Sequence, residues 1–192
     1  MSSGLMSELD AVNKILAATG DSPVATLDDS YSQSKIALQE LRRATRNIQL
    51  QGWWFNEEQG VELQPNTAGF ITLGTNVLQA FSKEGDGYII QRGNSLYNRD
   101  KRTYKFDKPV SVDMILGLEW DELPEQARIY ISDLAAVRFN NGFFGAQDVK
   151  QVLERNLQLS QVEMESADTE ARDTNLLRNT RAHNIAFRHR RG

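Results

Sequence analysis

The sequence predicts an α+β protein, a helical bundle built from both ends of the chain with an inserted antiparallel β domain. Three observations predict it. Residues 7–51 and 124–159 place apolar side chains at spacings of three and four, the period of a helix face. Residues 53–118 instead hold short β-branched and aromatic runs separated by Gly, Asn and Pro. Between two helical stretches lies Arg138-Phe139-Asn140-Asn141-Gly142-Phe143-Phe144-Gly145-Ala146. Asn and Gly tolerate positive φ and so end helices, while clustered phenylalanines need burial, so this stretch reads as a helix-to-helix joint with an aromatic plug. Residues 1–52 and 119–171 then form the helical domain, 53–118 the inserted β domain, and 172–192 a basic C-terminal arm, extended or flexible.

The first helix spans residues 7–19. Ser7 can cap it, Asp10 occupies the reciprocal capping-box position, and Leu9, Val12, Ile15 and Leu16 make one face. Gly20 ends it, and Asp21-Ser22-Pro23 opens a loop. A second helix covers 30–51, with Ala37, Leu38, Leu41, Ala44, Thr45 and Ile48 on its face and Gly52 at its end. Lys35, Arg42, Arg43 and Arg46 lie off that face; a solvated surface matched to the helix dipole accounts for them, and a nucleic-acid or partner contact is the alternative.

Trp53-Trp54-Phe55 and Asn56-Glu57-Glu58 then change the period. Residues 70–73, 77–81, 88–91 and 110–118 read as strands, and Arg92-Gly93-Asn94 as a hairpin turn. Val110, Val112, Met114, Leu116 and Leu118 alternate onto one face. An acidic link, 119–123, leads to Pro124 in the first turn of a third helix, striped by Ala127, Tyr130, Ile131, Leu134 and Val137. A fourth helix starts near Ala146 and turns Val149, Val152, Leu153 and Leu157 to the core; beyond Leu159 this stripe gives way to Glu163, Glu165, Asp168 and Glu170.

Composition removes several chemistries. Without cysteine there is no disulfide, thiolate nucleophile or cysteine metal site, which suits a reducing compartment. Residues 1–20 carry Glu8 and Asp10 and no basic leader, unlike a secretory signal. No apolar run approaches the roughly 18 residues of a membrane span, so a soluble protein with no membrane partner is expected. Both histidines, His183 and His189, fall in the C-terminal arm, leaving none for the body. Gly85-Asp86-Gly87 lacks the Lys-Ser/Thr of a phosphate loop. The expected cofactors and metals are therefore none. The net charge of −4 hides an asymmetry: residues 172–192 hold Arg172, Arg178, Arg181, Arg188, Arg190 and Arg191 against Asp173, so this arm is +5 and the body −9. A solvated terminus and a partner-docking arm both fit such a tail.

The enzymatic option is a carboxylate pair of glycosidase type, two acids about 5 to 10 Å apart across a sugar cleft. Glu57 or Glu58 beside Trp53 and Trp54, or Glu119 and Asp121 beside Trp120, supply the residue types. Neighbouring carboxylates on a strand point to opposite faces, so Glu57 and Glu58 cannot both serve one site. Basic and aromatic residues interleave from Tyr97 to Lys105; an exposed hairpin explains them, and binding of single-stranded nucleic acid or saccharide is the alternative.

Gln51-Gly52-Trp53-Trp54-Phe55-Asn56-Glu57-Glu58-Gln59-Gly60, then Leu123-Pro124-Glu125 leading into the aromatic joint, resemble the tail tubular protein A family of short-tailed phages. Gly20-Asp21-Ser22-Pro23-Val24 after the opening helix is similar too, and the likeness covers roughly residues 7–160. The resemblance implies a structural protein of the virion tail, assembled in the bacterial host cytoplasm, that forms a dodecameric adaptor or gatekeeper ring. Its implied partners are copies of itself, the portal protein and a nozzle of the tail tubular protein B type, with phage DNA passing through the ring without specific binding. It brings no catalytic residue; an accessory carbohydrate-degrading activity is the alternative it leaves open. Residues from Arg172 onward match nothing in the family pattern.

Overall fold

In a computed structural model, residues 4–27, 32–82, 88–144 and 147–188 are described, without the side chains of 143, 144, 147, 148 and 175–188. The architecture is α+β, with helices at both ends and a five-stranded antiparallel sheet between. Two compact units emerge, residues 1–44 with 124–192, and residues 45–123.

In the helical unit, α1 (Glu8–Ala17) begins with the expected capping box. Ser7 Oγ accepts the Asp10 N–H at 3.1 Å and donates to Asp10 Oδ2 at 2.6 Å, and the Ser7 N–H donates to the same carboxylate. These bonds hold the Asp10 carboxyl below its usual range. Gly20, at φ +82°, ends the helix, while the Asp21 N–H reaches back to the Leu16 carbonyl. The second helix, α2 (Ser32–Gln49), buries Ala37, Leu41 and Ala44 in this unit and leaves Arg42 and Arg43 at the surface, paired with Glu8 and Glu40.

The third helix, α3 (Glu125–Phe139), is buried along most of its circumference, so it shows only a weak apolar stripe. Its buried polar groups are matched. Lys14 Nζ lies 2.6 Å from Asp133 Oδ1, Arg128 donates to the Met6 carbonyl, and Ser132 Oγ donates to the Ile129 carbonyl. Tyr130 packs into the same core. Burial raises its phenol above the ordinary range, and the nearby Glu165 carboxylate adds to the shift. A phenol whose folded pKa is raised gives stability that is present below about pH 10 and lost as pH rises through the folded value. The stability difference between about pH 8 and pH 11 should therefore shrink in Tyr130→Phe, read by denaturant unfolding at both. An unchanged difference would assign the alkaline loss to other groups.

After α3 the chain makes a five-residue π-helical turn, Asn140–Phe144, and resumes as α4 (Gln147–Arg188). Among the described residues of the joint none takes the expected positive φ: Asn140 keeps φ −60° and ψ −47°, and Gly142 has no left-handed φ, while Gly145 lies outside the described residues. The stripe expected on α4 also shifts. Leu153 and Met164 are buried with Ser160, whereas Val152 is 58% exposed. Ser160 hides this stripe from a hydrophobic pattern because its hydroxyl donates to its own helix carbonyls at Asn156 and Leu157, which lets a polar residue sit in the core.

In the β unit the strands are β1 (Glu57–Leu63), β2 (Val77–Phe81), β3 (Ile89–Arg92), β4 (Ser95–Asn98) and β5 (Val110–Leu116), in the sheet order β1-β5-β2-β3-β4. The β3–β4 hairpin turns at Gly93, φ +60°, where the sequence places it. Two strand assignments change. Residues 70–73 form only isolated bridges, Phe70 with Lys105 and Thr72 with Ser95, although Ile71 and Leu73 still alternate inward. Residues 57–63, which break strict alternation, do form a strand: Gly60 at φ +66° makes a bulge whose N–H donates to Asp113 Oδ1, and the register slips between Glu58 and Val61. Ile71, Leu73, Ala80, Ile89, Leu96, Phe106, Val110, Val112 and Met114 make the core of this unit. Among the described residues no helix is long and apolar enough to cross a membrane.

Candidate functional site

The Trp-rich element after α2 is a structural clasp within the β unit. Gly52 takes φ +72°, which turns the chain out of the helix with Ile115 packed only 3.1 Å from where a Cβ would stand. Buried Asn56 then ties three segments together. Its Oδ1 accepts the Trp53 N–H at 2.9 Å, and its Nδ2 donates to the carbonyls of Gln49 (2.9 Å) and Leu116 (2.7 Å). Buried Gln49 repeats the device: Oε1 accepts the Leu118 N–H at 2.7 Å and Nε2 donates to the Leu118 carbonyl at 3.1 Å. The Trp53 indole N–H donates to the Ile48 carbonyl at 2.8 Å, and Phe55 stands edge-on to Trp54 at 5.1 Å. Trp53 and Phe55 are thus the aromatic part of a hydrogen-bonded node. Sequence reasoning missed Gln49 and Asn56. Both types are mostly exposed, and only their position beside a positive-φ glycine hints at a buried role.

The candidate carboxylates lie on two different elements, β1 and the link after β5. Glu57 and Glu58 are consecutive on β1, opposite Ile115 and Met114, so they face opposite sides of the sheet. Glu57 Oε1 accepts the Gln59 amide at 2.8 Å, and Glu58 is exposed. Glu119, also exposed, precedes the short 3-10 helix Trp120–Glu122, and its N–H donates to Glu122 Oε2 at 2.9 Å. None of the three lines the 440 Å³ cavity around Lys101 and Lys105 or the 480 Å³ cavity between β2 and β3.

Of the aromatic joint, Phe139 is fully buried, while the side chains of Phe143 and Phe144 lie outside the described residues. Of the basic arm, Arg172 pairs with Asp168 at 2.8 Å, one turn earlier on α4. Where the sequence suggests an extended or flexible arm, the backbone is α-helical as far as Arg188, a continuation of the helix begun at Gln147. Side chains of Arg178, Arg181 and Arg188 lie outside the described residues, as do Arg190 and Arg191 altogether. Helix α4, at 42 residues, is about 63 Å long, against about 22 Å for the 15 residues of α3 on which it packs.

Comparison with known proteins places these features. The family described as tail tubular protein matches residues 9–174. Tail tubular protein A of Klebsiella phage KP34 is 32% identical over 128 residues, covering 67% of this chain and 68% of that relative.

Proposed function

We propose a role that starts from one premise: the chain belongs to the tail tubular protein family and is a structural protein of a phage virion tail. From this we infer that it is a subunit of the adaptor ring between the portal and the nozzle, surrounding the channel through which DNA leaves. Its partners would be further copies of itself, the portal above and a nozzle protein below. The match over residues 9–174 carries the reading, because it takes in both the helical unit and the β unit.

Charge supports the same role. A body of −9 suits a conduit, since anionic walls repel phosphates and let DNA slide. Residues 175–192, which carry the same +5, lie in sequence beyond the matched residues, and up to Arg188 they belong to a helix far longer than its packing partner. Such an overhang fits docking on an acidic neighbouring ring.

Mixing the purified chain with portal rings and imaging by negative-stain electron microscopy tests the placement. Adaptor density stacked on the portal is the expected result, and a portal that stays bare at saturating protein would sink it. Neutralising Arg178, Arg181 and Arg188 together to Gln is expected to weaken docking roughly tenfold, at a few tenths to 1 kcal/mol for each ion pair lost. The thermal melt of the body should not change. Equal docking by this variant would remove the arm from the interface.

A further inference from the structure

The geometry points to a second binding function, in the β unit: the loop after β4 forms a site for the phosphate groups of a nucleic-acid backbone. Lys101, Lys105 and Lys108 line one cavity of about 440 Å³, together with Asn98, Thr103, Phe106, Asp107 and Val110. Six cations fall between residues 92 and 108 (Arg92, Arg99, Lys101, Arg102, Lys105 and Lys108) against two acids, Asp100 and Asp107. The other residues of the unit, 45–91 and 109–123, hold Arg46 and Lys83 against nine acids. The positive charge is therefore gathered in one place.

This loop is built, not merely exposed. Asn98 is buried, its Oδ1 accepts the Lys101 N–H at 2.8 Å, and its backbone exchanges two hydrogen bonds with Thr103. The turn so closed holds Arg102 at φ +54°, a left-handed conformation rare for a residue with a side chain. Thr103 Oγ1 then accepts the Lys105 N–H, and Phe106 anchors the far end in the core, with its N–H on the Gly69 carbonyl at 2.8 Å. Lys101, Lys105 and Lys108 are thereby gathered around one hollow, which Asp107 also lines.

Aromatic residues interleaved with these cations along the chain favour nucleic acid over an acidic protein face. Tyr104, 39% exposed, packs on Tyr97 at 4.7 Å, and Arg92 lies 3.7 Å over the Tyr97 ring. Tyr88 is 54% exposed, with Arg99 at 4.9 Å from its ring. Cations that follow phosphates and π faces on which bases stack are what sequence-independent nucleic-acid binding uses. With only about three phosphates engaged the contact is weak and brief at physiological salt, which is compatible with DNA that moves past the protein.

The test is fluorescence anisotropy of the full-length chain with a labelled single strand and a labelled duplex, titrated at low and rising salt. Three phosphate contacts predict a slope of log K on log salt of about −2.7 for duplex and about −2.1 for single strand. Each Lys→Gln change at 101, 105 or 108 should flatten the slope by about one, and the triple variant should lose at least about tenfold in affinity. Tail variant Arg178→Gln/Arg181→Gln/Arg188→Gln should leave the slope within about one unit. Three results would overturn the site: no binding by the wild type at low salt, a triple lysine variant that binds like wild type, or binding abolished by the tail variant instead. Displacement by polyglutamate as readily as by DNA would also overturn it and assign the cavity to an acidic protein. The inference rests on the β unit alone, so failure of portal docking leaves it standing.

Discussion

Replacing Asn56 with leucine is expected to destabilise the β unit by on the order of 3 to 5 kcal/mol, because it removes three buried hydrogen bonds without changing side-chain volume much. The Asn56 amide serves the Trp53 N–H and the Gln49 and Leu116 carbonyls, at 2.7 to 2.9 Å. A buried polar group that loses its partner forfeits the full cost of its desolvation, about 1 to 3 kcal/mol, whereas the leucine returns nothing to those groups. Urea unfolding followed by tryptophan fluorescence reads the effect directly, since Trp53 itself lies in the clasp. A loss below about 1 kcal/mol would show that water or a rearranged turn replaces the amide, and that the node does not hold the end of α2 to the end of β5.

Phe139→Ala carries the second large effect, about 3 to 5 kcal/mol for a phenylalanine with no exposed surface. The residue closes α3 just before the π-helical turn, so its ring anchors the joint between α3 and α4. Truncation leaves a cavity in a helix that is buried on most sides and cannot easily collapse into it. Val152→Ala on α4 is the matched control: that side chain is 58% exposed, and its change should stay within about 0.5 kcal/mol. If the two variants melted alike, the joint would not depend on its aromatic side chain.

Some of this molecule was legible because its determinants act over a few residues. Ser7 and Asp10 start α1, Gly20 ends it, Gly52 turns the chain after α2, and Gly93 closes the β3–β4 hairpin. Each rests on a cap or a backbone angle that the local residues dictate. Where reading failed, a local rule was overruled. The Gly60 bulge broke the alternation that would have announced β1, and Ser160 masked the buried stripe of α4 by bonding to its own helix. At Asn140–Phe144 the chain takes a widened π-helical turn where the residue types suggested a positive-φ stop.

By itself the sequence determined the α+β class, the main helices, the β3–β4 hairpin and the resemblance to phage tail tubular proteins. Only the tertiary structure decided which side chains meet. It sank Asn56 and Gln49 into a clasp, and drew Lys101, Lys105 and Lys108 around one hollow. Caps and turns are fixed by neighbours in the chain, whereas such meetings depend on strand register and on how distant segments are ordered in the sheet.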